Sequence, residues 1–119
     1  MPSNAMSDDF RFCPVATASE VVCKRWTPLI LRELLQGSSR YSEIRRGLLR
    51  ISSALLADRL RELERFGLLV RNDDNGSVVY YLTEAGQDLR LVVEALGAWG
   101  DRWAKPGEIS VGEMSALNI

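Results

Sequence analysis

The chain has 119 residues, carries 15 Lys and Arg against 16 Asp and Glu, is 46% apolar and contains no histidine. That length suits one domain with a modest core, and no apolar run nears the roughly 18 residues of a membrane helix. Without histidine there is no imidazole acid–base catalysis or imidazole metal site, two cysteines cannot make a four-thiolate zinc site within one chain, and no G-x-S-x-G, P-loop or G-x-G-x-x-G motif occurs, so the expectation is a non-enzyme with no catalytic residues, metal or cofactor.

Residues 1–5 read as a cloning scar, with Met6 as the expected native start. The N-terminal region is polar and acidic and shows no secretory signal, which points to the cytoplasm. Residues 10–14 form a short apolar arm ending in Pro14, and residues 15–23 suit a first helix. Trp26, Leu29, Ile30 and Leu34 recur at helical spacing and mark a second helix, with Pro28 in its first turn and Gly37 as C-cap. A shorter third helix is predicted over 42–48, with Ile44 and Leu48 turned inward. A fourth follows in "ISSALLADRLRELERFGLLVR" at 51–71 and breaks at Gly67.

There the period changes. A strand is predicted around 69–71, Asn75-Gly76 is a strong tight-turn signal, and "SVVYYL" at 77–82 reads as the returning strand. Thr83 caps a last helix running to Trp103, in which Leu89, Val92, Val93, Leu96, Trp99 and Trp103 make one apolar stripe. Residues 104–119 show no clear period and read as a tail or linker. The fold class is therefore mainly α with a small β-hairpin: four helices, a hairpin and a helix, the order of a winged helix-turn-helix.

The near-zero net charge hides an asymmetry. Residues 40–71 hold eight arginines against four acids, whereas 72–119 hold three bases against eight acids. A polyanion responds to the local field rather than to the sum, so an acidic chain can still bind nucleic acid.

With Ser52 as N-cap of the fourth helix, Leu56, Leu60 and Leu63 fall on one stripe at about 100° per residue. Ala54, Asp58, Arg61 and Arg65 fall opposite, flanked by Ser53 and Ala57. Small residues there permit close approach to a major groove. Asp58 can accept from a cytosine amino group, Arg61 can reach guanine or phosphate, and the Ser52 end offers free backbone N–H groups to a phosphate. Arg40, Arg45 and Arg46 are phosphate candidates on or before the third helix; Arg71 and Asn75 are the wing's candidates, since Asp73 and Asp74 at its tip repel phosphate. The same pattern also describes an ordinary amphipathic helix with a solvated charged face, and a winged-helix protein-interaction module that does not bind DNA stays open as a second reading.

Several stretches together carry a family resemblance: "CPV" at 13–15, "KRWTPLILRELLQG" at 24–37, "RYSEIRRGL" at 40–48, 51–71 as quoted, "YYLTEAGQDL" at 80–89 and "WGDRW" at 99–103. The chain resembles the HxlR-type winged helix-turn-helix transcriptional regulators over residues 13 to about 103, with 6–103 as the expected domain. The resemblance implies a sequence-specific regulator of double-stranded DNA, with repression as the expected sign. It also implies a homodimer in which the N-terminal segment and the last helix pair across a two-fold axis, placing Phe12, Val15, Leu89, Val92, Val93, Leu96, Trp99 and Trp103 at the interface. A two-fold pair favours a near-palindromic operator. Cys13 matches the N-terminal cysteine with which some members sense oxidants, quinones or aldehydes, so an oxidant or small-molecule effector is expected. Some relatives continue into a sterol-carrier-like domain, which would make this chain the DNA-binding half of a longer regulator.

Overall fold

The computed structural model describes residues 13–104. Phe12, the residues read as a scar and all of the tail except Ala104 lie outside that range. In chain order the elements are α1 (Pro14–Val22), α2 (Thr27–Leu35), α3 (Tyr41–Arg46), α4 (Ser53–Arg65), β1 (Leu69–Asp74), β2 (Ser77–Leu82), α5 (Glu84–Asp88) and α6 (Arg90–Trp103). No helix among the described residues is long and apolar enough to cross a membrane.

The core is built from one side of several short helices. Ile30 and Leu31 of α2, Ile44 of α3 and Leu56, Leu60 and Leu63 of α4 are fully or almost fully buried, with Leu69 closing the cluster from the wing. Burial of a Leu or Ile side chain is worth about 1.5–3 kcal/mol, so this small set supplies much of the stabilisation. Leu48 is buried as expected, and Trp26 and Ile51 join the core from the loops that precede α2 and α4.

Local chemistry sets the ends of α4. The Ser52 hydroxyl oxygen accepts the backbone N–H of Leu55 at 3.1 Å. At the other end Gly67 takes φ +80°, and two bonds close the helix: Gly67 N–H to the Glu64 carbonyl at 3.0 Å and Leu68 N–H to the Leu63 carbonyl at 2.9 Å. That pairing is the Schellman arrangement, which needs a left-handed residue and so favours glycine.

The wing is a two-stranded antiparallel ribbon in which Leu69 faces Leu82 and Asp74 faces Ser77. Asn75 (φ 55°) and Gly76 (φ 80°) form its two-residue turn, both left-handed as such a turn requires. Because the turn is this tight, pairing continues to Asp74, three residues beyond the predicted end of β1. The Tyr80 N–H donates to the Ser39 carbonyl at 2.7 Å, which ties the wing to the segment before α3.

The predicted single helix from Thr83 is divided at Leu89. The Leu89 N–H bonds to the Gly86 carbonyl at 3.1 Å, a tightened i−3 turn, and α6 starts afresh after it. Thr83 makes the junction with α4. Its hydroxyl donates to the Gly67 carbonyl at 2.7 Å and accepts the Gly86 N–H at 3.2 Å, while its own N–H donates to the Leu68 carbonyl at 3.0 Å. Gly86 is buried against this joint, and a Cβ there would lie 2.3 Å from the Leu68 carbonyl oxygen and 2.9 Å from Leu82 Cδ2. We expect Gly86→Ala to cost about 1–3 kcal/mol by overpacking. Urea unfolding should show a lower midpoint with an unchanged slope; an unchanged midpoint would show that the joint yields freely.

Candidate nucleic-acid interface

α3 and α4 are joined by residues 47–52, and β1 and β2 follow directly after α4, so the helix-turn-helix and the wing form one surface. With Leu56, Leu60 and Leu63 buried, the opposite side of α4 is open. Ser53, Ala54, Asp58, Arg61 and Arg65 are exposed and Ala57 is half-buried. The Ser52 oxygen accepts the Leu55 N–H, which leaves its O–H and the amides of Ser53 and Ala54 to meet an incoming phosphate at the positive end of the helix.

Among the arginines of residues 40–71, two are committed to other elements of the protein itself. Arg59 Nε donates to the Arg25 carbonyl at 3.0 Å and Nη1 pairs with Glu62 at 3.4 Å, while Lys24 reaches Glu62 at 3.0 Å. Arg40 donates to the Ser77 hydroxyl and links the start of α3 to the wing. By contrast, Arg45 and Arg46 at the end of α3, Arg65 at the end of α4 and Arg71 on β1 are exposed. None of these four makes an ion pair among the described residues. Asp58 and Arg61 pair with each other. Asn75 lies exposed at the wing tip, next to Asp73 and Asp74.

A cleft of about 440 Å³ lies between α3, α4 and the wing, lined by Tyr41, Ala57, Leu60, Arg61, Glu64, Arg71 and Tyr80. It brings Ala57, Arg61 and Arg71 of the predicted set together; Arg45, Arg46 and Asn75 lie outside it. Two residues in or near this surface escaped the sequence reading. The Tyr41 hydroxyl donates to the Ser53 carbonyl at 3.0 Å and so bridges α3 to the first residue of α4. Arg50 sits in the turn at φ 80°, exposed and cationic; its only sequence signal was its place between two predicted helices.

Glu43 sets the start of α3. Its Oε1 accepts the N–H groups of Ser39 at 2.9 Å and Arg40 at 3.0 Å. These two bonds hold its carboxyl below the ordinary glutamate range, and the charges of Arg40 and Arg46 act in the same direction. An anionic Glu43 thus anchors the short helix whose far end presents Arg45 and Arg46.

The residues expected at a dimer interface divide between two surroundings. Leu89 and Val93 pack partly against the chain's own core. Val15, Val92, Leu96, Trp99 and Trp103 are exposed, as is Leu91. An apolar groove of about 330 Å³ between α1 and the start of α6, lined by Pro14, Val15, Ala18, Val22, Leu89 and Val92 among others, adjoins them. Cys13 is the half-buried residue immediately before α1, and Cys23 is exposed immediately after it; both are free thiols.

Comparison with known proteins matches this arrangement. Residues 21–108 match the family described as HxlR-like helix-turn-helix. The HTH-type transcriptional regulator YodB of Bacillus subtilis is 36% identical over 100 residues, covering 81% of this chain and 89% of YodB. Among solved structures, the redox regulator HypR in its oxidised form superposes with a TM-score of 0.71 at 31% identity, covering 76% of this chain and 96% of HypR. Diamide-treated YodB from B. subtilis superposes with a TM-score of 0.63 at 35% identity, over 80% of this chain and 98% of that one. These relatives are transcriptional regulators and not enzymes. With a family match over most of its length and a winged helix-turn-helix fold to go with it, the chain belongs to the HxlR-like helix-turn-helix family of transcriptional regulators.

Proposed function

We propose that this regulator acts in the cytoplasm as a homodimeric repressor that occupies a near-palindromic double-stranded operator. The observation that carries the reading is the open side of α4, where Ser53, Ala54, Ala57, Asp58 and Arg61 follow a serine cap and are framed by arginines without ion pairs among the described residues. Such a helix suits base-edge readout, while Arg45, Arg46, Arg65 and Arg71 suit phosphates, Asn75 can hydrogen-bond from the wing tip and Arg40 holds the wing near them. Repression follows if a bound dimer occludes a promoter. Asp73 and Asp74 on the wing favour the other reading, a protein-interaction module, and the same titration separates the two.

For a regulator of DNA, log affinity for a duplex should fall steeply with log salt. Replacing Arg45 or Arg46 by Ala should weaken binding to all sequences alike and reduce that slope by about 1 for each phosphate no longer neutralised. A wild-type chain with no salt-dependent affinity for any duplex would leave the interaction module as the reading.

The dimer rests on the exposed Val92, Leu96, Trp99 and Trp103 together with the groove beside α1. A run of exposed apolar side chains on one helix is costly in water and is covered when a second copy lies on it. Light scattering should give twice the chain mass for the wild type, and the mass of one chain for the double variant Trp99→Glu, Trp103→Glu. A wild type that runs as a single chain at micromolar concentration would overturn the dimer.

Redox sensing is proposed at Cys13, in keeping with the redox regulator HypR and with YodB solved after diamide treatment. Cys13 and Cys23 bracket the nine residues of α1. At 1.5 Å rise per residue they stand about 15 Å apart, beyond the roughly 7 Å Cα separation that a disulfide tolerates. A disulfide formed under diamide would therefore join Cys13 to a thiol of another molecule, two thiols giving one disulfide as diamide takes up two electrons and two protons. We expect diamide to weaken operator binding by the wild type severalfold and to leave Cys13→Ser unaffected. Identical release by both proteins would remove Cys13 from the mechanism.

A further inference from the structure

Asp58 and Arg61 stand about one turn apart on the open side of α4, and an Arg61 Nη2 N–H donates to Asp58 Oδ1. Both side chains remain more than half exposed, at 57% and 64%, and neither makes another ion pair among the described residues. Ser53, Ala54 and Ala57 beside them are short. Over this part of α4, Asp58 and Arg61 are thus the two outward side chains with the reach and hydrogen-bonding capacity for a base edge.

The pairing uses one of five guanidinium N–H donors and one carboxylate oxygen. A guanine presents N7 and O6 in the major groove, and two coplanar guanidinium N–H groups bridge them; enough donors are left to do so. A lone arginine on a helix samples many rotamers. A carboxylate one turn earlier favours the rotamers that keep the planar fork beside it. The pairing also removes an electrostatic obstacle. An isolated carboxylate near phosphates is repelled, whereas the Asp58–Arg61 couple is neutral. The second carboxylate oxygen can then accept from the exocyclic amine of cytosine or adenine.

On these grounds we infer that Asp58 is a positioning residue: it aims the Arg61 guanidinium at a guanine and favours an amino-bearing base, cytosine or adenine, in the neighbouring pair. The inference rests on the reading of DNA proposed above and adds the base that is read. Each half-site then carries one guanine specified by this couple.

The test is selection of duplexes from a random pool by the full chain, followed by competition between the selected site and versions changed at single positions. The wild type should enrich a guanine at one position per half-site. Asp58→Ala should reduce the guanine preference roughly tenfold, while affinity for random duplex rises because the neutral couple becomes a lone cation. Asp58→Asn, which still accepts from Arg61 but without charge, should keep part of the preference. Arg61→Ala should abolish it and leave nothing for Asp58→Ala to remove, the non-additivity expected of a coupled pair. Circular dichroism checks that the variants fold. An unchanged guanine preference in Asp58→Ala overturns the inference, as does a wild-type site without a common guanine. If the wild type enriches no sequence, the reading of DNA itself falls and takes the inference with it.

Discussion

Leu56, Leu60 and Leu63 lie on one side of α4 and are almost completely shielded from water. That single constraint orients the helix. With the leucines held against Ile30, Leu31 and Ile44, the other side has no freedom to turn inward without exposing three large apolar side chains. The residues presented outward are therefore determined by where the leucines are, not by any interaction of their own. Small side chains can occupy that surface, because stability is supplied elsewhere. An arginine or an aspartate can occupy it too, since neither must be desolvated by the fold.

The leucine period, the serine cap and the closing glycine of α4 were legible because they are local: each acts within one or two turns of its own position. The Asn75-Gly76 turn was legible for the same reason, as its left-handed backbone selects those residues. What escaped the sequence depends on distant partners. Close to where the last helix divides, Gly86 lies against the Leu68 carbonyl, far back in the chain, and β1 runs longer than its composition suggests because Ser77 to Val79 pair with Asn72 to Asp74. The tyrosine bridge to Ser53, twelve residues away, belongs to the same class. Exposure of Trp99 and Trp103 was likewise undecided by spacing, since a stripe looks alike whether it faces its own core or open solvent.

Charge is distributed by task. Arg59 and Arg40 serve the fold, one holding the segment between α1 and α2 against α4 and the other joining α3 to the wing. The arginines without such duties gather at the ends of α3 and α4 and on β1. Counting arginines along residues 40–71 overstates the cationic surface, because some of them are taken up by internal bonds. The acidic C-terminal portion balances the whole, which keeps the sum near neutrality while the surface around α4 stays positive.

The joint at Thr83 couples two separate surfaces of the molecule. Two carbonyls just past α4, those of Gly67 and Leu68, accept bonds from a single residue, and Gly86 presses its backbone against the same spot. From this joint the chain passes through α5 and the turn at Leu89 into the helix that bears the tryptophans. If two copies pair through the tryptophans as proposed, the two α4 helices would behave like the jaws of a caliper, with their opening set by the angle at which the tryptophan-bearing arms cross.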